Sequence, residues 1–300
     1  MTQALWEGDP AMDRLVAWMF EQDTRRRRDQ IQAAIQHGPE HLQSCPGPIR
    51  DFFQTLEQPP AWIDQGLMDD AVDFIHGVGL AANFVLRDLA LMGGYLLPGF
   101  NQSLVMTGAL SQGTGRRVAE TGKWWIDCTE PDGLRPGGPG YVTTLQVRLV
   151  HALVRRGLDR RPDWDHSHWG TPLSQIDMVA TYLGFSVVML VGLRKPGIPI
   201  LPRESKAVMH LWSYACWLMG VDEKWLVSSE REGYVLLYHT YMTQPPADAS
   251  SRELAQALAH EAPGTGIPPL AGSAPQVGLP GPPGYEPVFP RPAANAPTGV

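Results

Sequence analysis

The chain has 300 residues, of which 43% are hydrophobic and 18% are charged, so it can bury a large core and is not a wholly disordered chain. The formal net charge is −7, which does not favour a polyanionic partner. The one dense basic run, at residues 25–28, lies in a helical pattern, so we expect a solvated helix face and no nucleic-acid binding.

The three cysteines, Cys45, Cys128 and Cys216, stand far apart in the sequence. They form no CxxC pair, no covalent haem-attachment motif and no zinc-finger spacing, which argues against a disulfide framework. The basic run is followed by a polar segment and not by the apolar segment of a signal peptide, so we expect a cytoplasmic protein.

Helix signals are dense along the chain and alternating polar and apolar residues are rare, so the sequence predicts an all-α fold. The first helices are expected over about 11–36, 68–92 and 113–127. Residues 130–140 carry too much glycine and proline for a helix or a strand, and we expect a loop there. A helix over 143–158 follows this loop.

Helix caps mark the elements of the second half of the chain. Thr171 followed by Pro172 is typical of a cap and a first helical residue, and it leads into a long apolar helix. The most apolar part of that helix, Tyr182 to Leu193, is shorter than the roughly 20 residues that span a bilayer, so we expect a core helix and no transmembrane segment. Peripheral contact with a membrane stays open. Two capping-box spacings, Ser229 with Glu232 and Ser250 with Glu253, predict the starts of two further helices. Gly220 is typical of a helix end.

The composition changes abruptly after Ala262. Residues 263–300 are rich in proline and glycine and cannot form a core, so the sequence predicts a disordered tail there. The folded domain is accordingly expected over residues 1–262.

The helix at 143–158 carries a polar stripe that contains His151. Thr144, Arg148, His151 and Arg155 share one narrow face, and apolar residues cover most of the remainder. The stripe either meets solvent or faces an interior cavity, where buried arginines need anionic partners. A haem meets these needs together, because its iron binds a neutral imidazole and its propionates accept from guanidinium groups. Arg148 and Arg155 are our candidates for the propionate partners.

A second polar cluster lies on the helix expected at 113–127. Arg117, Glu120 and Thr121 are spaced so that they share a face. The simple account is a local Arg–Glu pair that contributes only tenths of a kcal/mol to the helix.

Three segments together resemble the latex-clearing protein and MpaB oxygenase family, also known as the rubber oxygenase catalytic domain. They are "GRRVAETGKWW", "QVRLVHALVRR" and "WGTPLSQIDMVATYLGFS", and the resemblance covers about residues 70–245. It implies a globin-like multi-helix bundle that encloses a non-covalent b-type haem, with His151 as the proximal iron ligand. Arg117 and Thr121 match family positions on the distal side, where O2 is the co-substrate. The activity it implies is the oxygenation or cleavage of carbon–carbon double bonds in isoprenoid chains.

The chain also departs from the rubber-cleaving members. These carry a distal lysine immediately before the threonine, where this chain has Glu120, and an upstream acidic base, where this chain reads "GFNQSLVMTG". These differences argue against polyisoprene and leave a small hydrophobic, unsaturated isoprenoid or lipid-like compound as the expected substrate. Glu120 could carry a proton if burial raises its pKa, but a salt bridge with Arg116 or Lys123 would remove that role. The apolar segments 74–86 and 184–193 are expected to line the pocket.

An electron donor is a further expected partner of the oxygenase, and the sequence gives no prediction of the oligomeric state. Two alternatives to this function stay open. The first is a non-haem metal enzyme, because Asp163, Asp165, His166 and His168 lie within one short segment and could bind zinc or iron. The second is a non-catalytic haem or lipid carrier of the same fold, which the glutamate at position 120 would suit.

Overall fold

The computed structural model describes residues 1–38, 44–108 and 114–260, without the side chain of Thr114. Its described residues contain helices and no strand, which confirms the predicted all-α class. The predicted tail at 263–300 lies outside the described residues. The α-helices are α1 (Pro10–Met19), α2 (Thr24–His37), α3 (Gly47–Glu57), α4 (Gln65–Val78), α5 (Leu80–Val85), α6 (Met92–Gly94), α7 (Pro98–Met106), α8 (Thr114–Thr129), α9 (Pro139–Leu158), α10 (His166–Trp169), α11 (Gln175–Leu183), α12 (Met189–Arg194), α13 (Pro202–Leu218), α14 (Glu230–Met242) and α15 (Ala249–His260). Short 3₁₀ helices are Thr2–Trp6 and Glu223–Trp225.

Side-chain caps decide where several helices begin. The helix expected over 11–36 is two helices, because the Asp23 carboxylate accepts from the Arg26 amide and starts α2. Ser174, and not Thr171, caps α11, where it forms a capping box with Asp177. The predicted capping box of Ser229 with Glu232 is confirmed at α14. At α15 the cap is Asp248 in place of Ser250: the Asp248 carboxylate accepts from the backbone amides of residues 250 and 251.

The helix expected over 68–92 bends sharply at Gly79. Gly79 has a φ of +54°, a left-handed conformation that glycine adopts without steric cost. The helical axis turns by 88° between α4 and the segment 80–94. Beyond the bend, α5 continues through a π-helical segment, Leu86–Leu91, into α6.

The long apolar helix lies inside the molecule. It runs without a break over Gln175–Arg194 and contains a second π-helical segment, Gly184–Val188, between α11 and α12. Its 20 residues are long and apolar enough to cross a membrane, so the expectation of a shorter segment was wrong. Because 78% of its most apolar window is buried, it packs as a core helix. The bent pair α4 and 80–94 also passes that test if it is counted as one span.

The two π-helical segments pack against each other, and a glycine permits the close approach of their helices. A Cβ at Gly192 would lie 2.2 Å from Cγ1 of Val85, so α5 and α12 approach more closely than two helices with larger side chains could. The segments 74–86 and 184–193, which were expected to line one pocket, are thus in contact through these helices.

An aromatic group fixes α8 against the core. The rings of Trp124, Phe185 and Trp212 lie with centroids 4.9 to 5.5 Å apart. The Trp124 indole also donates to the Thr144 hydroxyl of α9 at 2.9 Å. These contacts fix α8 beside α9, so the two helices with the predicted site residues are neighbours.

Candidate active site

His151 lies on α9, and one of its ring nitrogens is buried in the protein. Its Nδ1 is buried and has no hydrogen-bond partner in the described part of the chain. Burial, with Arg155 and Arg117 nearby, lowers the pKa of His151 to about 4, although Asp9 opposes the shift. The residue lies deep in the protein and keeps some accessible surface. A neutral imidazole is therefore present at physiological pH, and it can bind a metal through Nε2.

Arg117 on α8 is a buried guanidinium without a carboxylate partner among the described residues. It lies over the ring of Phe100, with 5.6 Å between Cζ and the ring centroid. Burial lowers the pKa of Arg117, and the neighbouring Tyr95 and Glu120 oppose the shift. Arg117 also contributes to the lowered pKa of His151, and the helices that carry the two residues, α8 and α9, are in contact. A buried cation of this kind needs an anionic partner.

Thr121 follows Arg117 by one turn of α8, as the sequence predicts. Its hydroxyl makes no hydrogen bond among the residues that the structure describes. By contrast, the hydroxyl of Thr129 on the same helix donates to the carbonyl oxygen of Trp125 at 3.0 Å. Thr121 is partly accessible, so its hydroxyl is available to a ligand.

Glu120 pairs with another residue of its own helix. Nε of Arg116 lies 3.0 Å from its carboxylate, whereas Lys123 bonds to Asp127. Burial raises the pKa of Glu120, and Arg116 opposes the shift. The pair with Arg116 is the arrangement that was expected to remove a proton-carrying role from Glu120, so this residue is not assigned to the pocket.

Arg148 and Arg155 were expected to bind propionates, but both guanidinium groups already pair with carboxylates near the start of α1. Arg148 forms a buried two-point pair with Asp9, with Nη2 to Oδ1 at 2.9 Å, and its Nη1 donates to the Leu218 carbonyl. Nε of Arg155 lies 2.9 Å from the carboxylate of Asp13. The expected partners were anionic, and the structure supplies aspartates in place of propionates. Both arginines are therefore left out of the proposed cofactor site.

A glycine makes the Arg148 pair possible. Gly220 has a φ of +95°, and a Cβ there would lie 2.4 Å from Oδ2 of Asp9 and 2.8 Å from Nε of Arg148. The sequence indicated Gly220 only as a helix end. Asp9 was not predicted as a partner, because the one local signal it gives is a cap before Pro10.

The alternative metal site does not assemble among the described residues. Asp163 forms an ion pair with Arg161, with Nη2 to Oδ2 at 2.6 Å. The carboxylate of Asp165 caps α10 and accepts from the amide of His168. Nε2 of His166 lies 3.9 Å from Oδ1 of Asp159. In the ranges 1–38, 44–108 and 114–260, no three side chains of the metal-binding types come together, so the structure contradicts this alternative.

Comparisons with known proteins place this chain in a family. Residues 78–291 match the family model described as ER-bound oxygenase mpaB/B'/Rubber oxygenase, catalytic domain. The match begins near the predicted residue 70 and extends beyond 245 into the predicted tail. The rubber oxygenase of Streptomyces sp. (strain K30) is 24% identical over 183 residues, which are 60% of this chain and 45% of that protein. The chain thus spans less than half the length of this relative.

The fold is shared with a solved structure of latex clearing protein LCP in the closed state. The TM-score is 0.71 at 19% sequence identity, and the match covers 85% of this chain and 69% of the other. The resemblance expected from the sequence motifs is confirmed. Because the family model matches more than half of its residues, this chain belongs to the mpaB and rubber oxygenase catalytic-domain family.

Proposed function

We propose that the protein is a haem b-dependent oxygenase that uses O2 to oxidise a hydrophobic, unsaturated isoprenoid or lipid-like substrate. The observation that carries this proposal is a neutral, buried His151 on α9, next to a helix, α8, whose buried Arg117 has no carboxylate partner among the described residues. Family membership supports the oxygenase class. The haem, its histidine ligand and the substrate class are proposed here in addition to the oxygenase class.

The residues present fit a haem. His151 has one sealed nitrogen, and its Nε2 makes no hydrogen bond with the described residues, so Nε2 is the atom that would hold the iron. When bound, a haem supplies the binding and activation of O2 for attack on a carbon–carbon double bond. The protein supplies the enclosure and the charges around it.

Arg117 and Thr121 act as hydrogen-bond donors to the oxygen atom that becomes partly negative during the reaction. A guanidinium that is already desolvated does not have to shed water when charge develops nearby. Its stacking on Phe100 holds it in place. The low pKa of His151 keeps that imidazole neutral, so it does not compete with Arg117 for negative charge.

Two largely apolar segments of the fold support the proposed substrate class. The two π-helical segments, Leu86–Leu91 and Gly184–Val188, bring mostly apolar side chains together between α5 and α12. Segments of this kind occur frequently at functional sites. An apolar lining suits an isoprenoid or acyl chain. The electron donor, the cytoplasmic location and peripheral contact with a membrane remain predictions of the sequence.

One observation favours a second candidate, a haem or lipid carrier of the same fold that does not turn over. The carboxylate of Glu120 is engaged by Arg116, so the helix that carries Arg117 offers no free acid–base group at that position. Oxygen consumption separates the two functions.

The test is oxygen uptake by the haem-loaded protein with a panel of terpenoids and unsaturated lipids. We expect O2 consumption with at least one compound, and a loss of at least about tenfold in kcat/KM in Arg117→Met, because a charged donor to the reacting oxygen is removed. Arg135→Met, which changes an exposed arginine outside the pocket, is the control and should keep its activity. A haem-loaded protein that consumes no O2 with any compound would favour the carrier.

A further inference from the structure

Large apolar side chains are exposed along one face of α14. Twelve large hydrophobic side chains are exposed among the described residues, and four of them belong to this helix. At 100° per residue their spacing puts all four within about 100° around the helix axis. These residues, the outer face of α14, are Tyr234, Val235, Tyr238 and Met242. A contiguous exposed apolar patch of this kind marks an interaction site more often than scattered side chains do.

The other side of α14 is held firmly by the fold. A Cβ at Gly233 would lie 2.2 Å from Cγ2 of Val187, so α14 lies directly against the π-helical segment between α11 and α12. Near the end of α14 the Tyr241 hydroxyl donates to the Gly93 carbonyl oxygen at 3.0 Å. The outer face is therefore a preformed surface, which a partner can bind without ordering the helix first.

The chain leaves the last described helix close to α14. Nη2 of Arg87 donates to the carbonyl oxygen of Leu258, in the last turn of α15, at 2.9 Å. Arg87 and Gly93, which Tyr241 of α14 contacts, are six residues apart on one helical segment, or about 9 Å along its axis. The ends of α15 and α14 are thus held by the same short segment of the fold.

The residues that follow α15 are numerous enough to cover this face. Residues 261–300 follow His260. The 18 residues between His260 and Leu279 can span about 55 Å when they are extended, whereas α14 is about 20 Å long. Residues from 279 onward can therefore reach any part of the outer face.

The composition of residues 279–291, the proline segment, suits an aromatic helix face. Its sequence, LPGPPGYEPVFPR, has five prolines and four large apolar side chains, and the family match extends to its last residue. The prolines disfavour a helix, and a helix face offers no free backbone groups to which a strand could pair. A polyproline II segment needs no backbone partner and docks on exposed aromatic rings through its side chains.

We propose that the outer face of α14 is the docking site of this chain's own proline segment, residues 279–291, bound in a polyproline II conformation. The rings of Tyr234 and Tyr238, one helical turn apart, receive the prolines, and Val235 and Met242 extend the apolar surface on the same face. Residues 263–300 cannot form a core of their own, so this face gives their apolar side chains the cover that they lack. The prediction of disorder then applies only to the rest of the tail.

The experiment introduces a photo-crosslinking residue, p-benzoylphenylalanine, at Phe289 of the full chain and maps the products by mass spectrometry. We expect an intramolecular cross-link to residues 230–242. Tyr238→Ser should slow its formation at least about fivefold, because one aromatic ring of a small interface is lost. Met242→Ser, on the same face, should also slow it. The control is Phe20→Ser, which removes an exposed aromatic ring at the end of α1 and should leave the rate unchanged.

Each result decides for or against this docking. Cross-links that form elsewhere, or equally fast in Tyr238→Ser and in the unchanged chain, would overturn it. A covalent dimer would assign the outer face to a second copy of the chain. Sedimentation with phosphatidylcholine vesicles that is lost in Tyr238→Ser, without any intramolecular cross-link, would assign the face to a membrane surface. Either of these last two results would also overturn the proposal.

Discussion

Asp9 and Asp13 neutralise the two arginines that flank His151 on α9, and both precede the region matched by the family model. Arg148 and Asp9 are 7% and 3% exposed, so the pair is almost fully desolvated. The desolvation of such a pair is costly, and removing one partner leaves an uncompensated buried charge. The ion pairs therefore fasten α1 to the helix of the candidate site.

Breaking the Asp9 pair should cost much more stability than breaking an exposed one. Asp9→Asn keeps a cap for α1 but leaves the Arg148 charge unpaired, so we expect a loss of about 3–5 kcal/mol in the free energy of unfolding. Asp132→Asn is the control, because Asp132 and Arg135 form an exposed pair whose loss should cost about 0–1 kcal/mol. Urea unfolding measures both variants. Equal losses of stability in the two variants would contradict the conclusion that the buried Asp9–Arg148 pair fastens α1 to α9.

Asp177 makes the stability of the fold depend on pH. Burial raises its pKa to about 6, although its hydrogen bonds with Ser174 oppose the shift. The native carboxyl thus holds its proton more tightly than the unfolded one. Its contribution to stability is complete below the unfolded pKa, near 4, and is lost as pH rises through about 6.

Asp177→Asn tests this contribution, because the amide keeps an acceptor for Ser174 and does not titrate. We expect the stability of the wild type, relative to this variant, to fall between pH 4 and pH 6 and to stay level above that range. Chemical unfolding at a series of pH values, with the same haem content in both proteins, gives the difference. A difference that is constant or that increases with pH would disagree with the raised pKa.

The sequence could indicate the residue types of the site but not all of their partners. His151, Arg117 and Thr121 are predicted as site residues because each belongs to a helical spacing and to a family motif, and their roles stay predictions. The partner of Arg148 could not, since Asp9 lies 139 positions away and only the folded chain brings the two together.

At the scale of elements, glycines decide how closely the helices around the pocket approach. Gly192 lies on α12 where α5 crosses it, and its missing side chain is what permits contact with Val85. The π-helical segments on both sides of this crossing are part of the same contact. The shape of the expected substrate pocket thus depends on a small residue in a long apolar helix.

Gly192→Ala should destabilise the protein although alanine is the better helix former. The added Cβ would meet Val85 at 2.2 Å, and overpacking of this kind costs about 1–3 kcal/mol. Gly77→Ala is the matched control on α4, where no atom lies within 4 Å, and a gain of up to about 1 kcal/mol is expected there. Thermal unfolding compares the two. An equal gain in both variants would show that α5 and α12 are not closely packed.

The helices that carry the site were predicted more accurately than the bends between helices. For α8 the expected range 113–127 differs from Thr114–Thr129 by at most two residues, because its amphipathic spacing is unbroken. The bend at Gly79 and the cap at Asp23 were missed. A single glycine or aspartate inside a helical pattern is compatible with a continuous helix, and only tertiary packing selects the break.

At the scale of the whole molecule, the account depends on an iron porphyrin held by one imidazole. His151 on α9 is neutral, Arg117 lies on the neighbouring α8, and the carboxylates of Asp9 and Asp13 compensate the two buried arginines of α9. Within the described residues Arg117 is thus the buried arginine without a carboxylate, and the proposed chemistry depends on it. His151 and Arg117 can take part in the proposed reaction only if the protein binds the haem.

The most direct measurement is the haem content and visible spectrum of the purified, reconstituted protein, of His151→Ala and of the control His168→Ala. We predict one b-type haem per chain with a Soret band in the wild type and in His168→Ala, because His168 is exposed. His151→Ala should lose the haem or shift the Soret band, because the iron loses its axial imidazole. A wild type without haem, or a His151→Ala variant with an unchanged haem content and Soret position, would contradict the account.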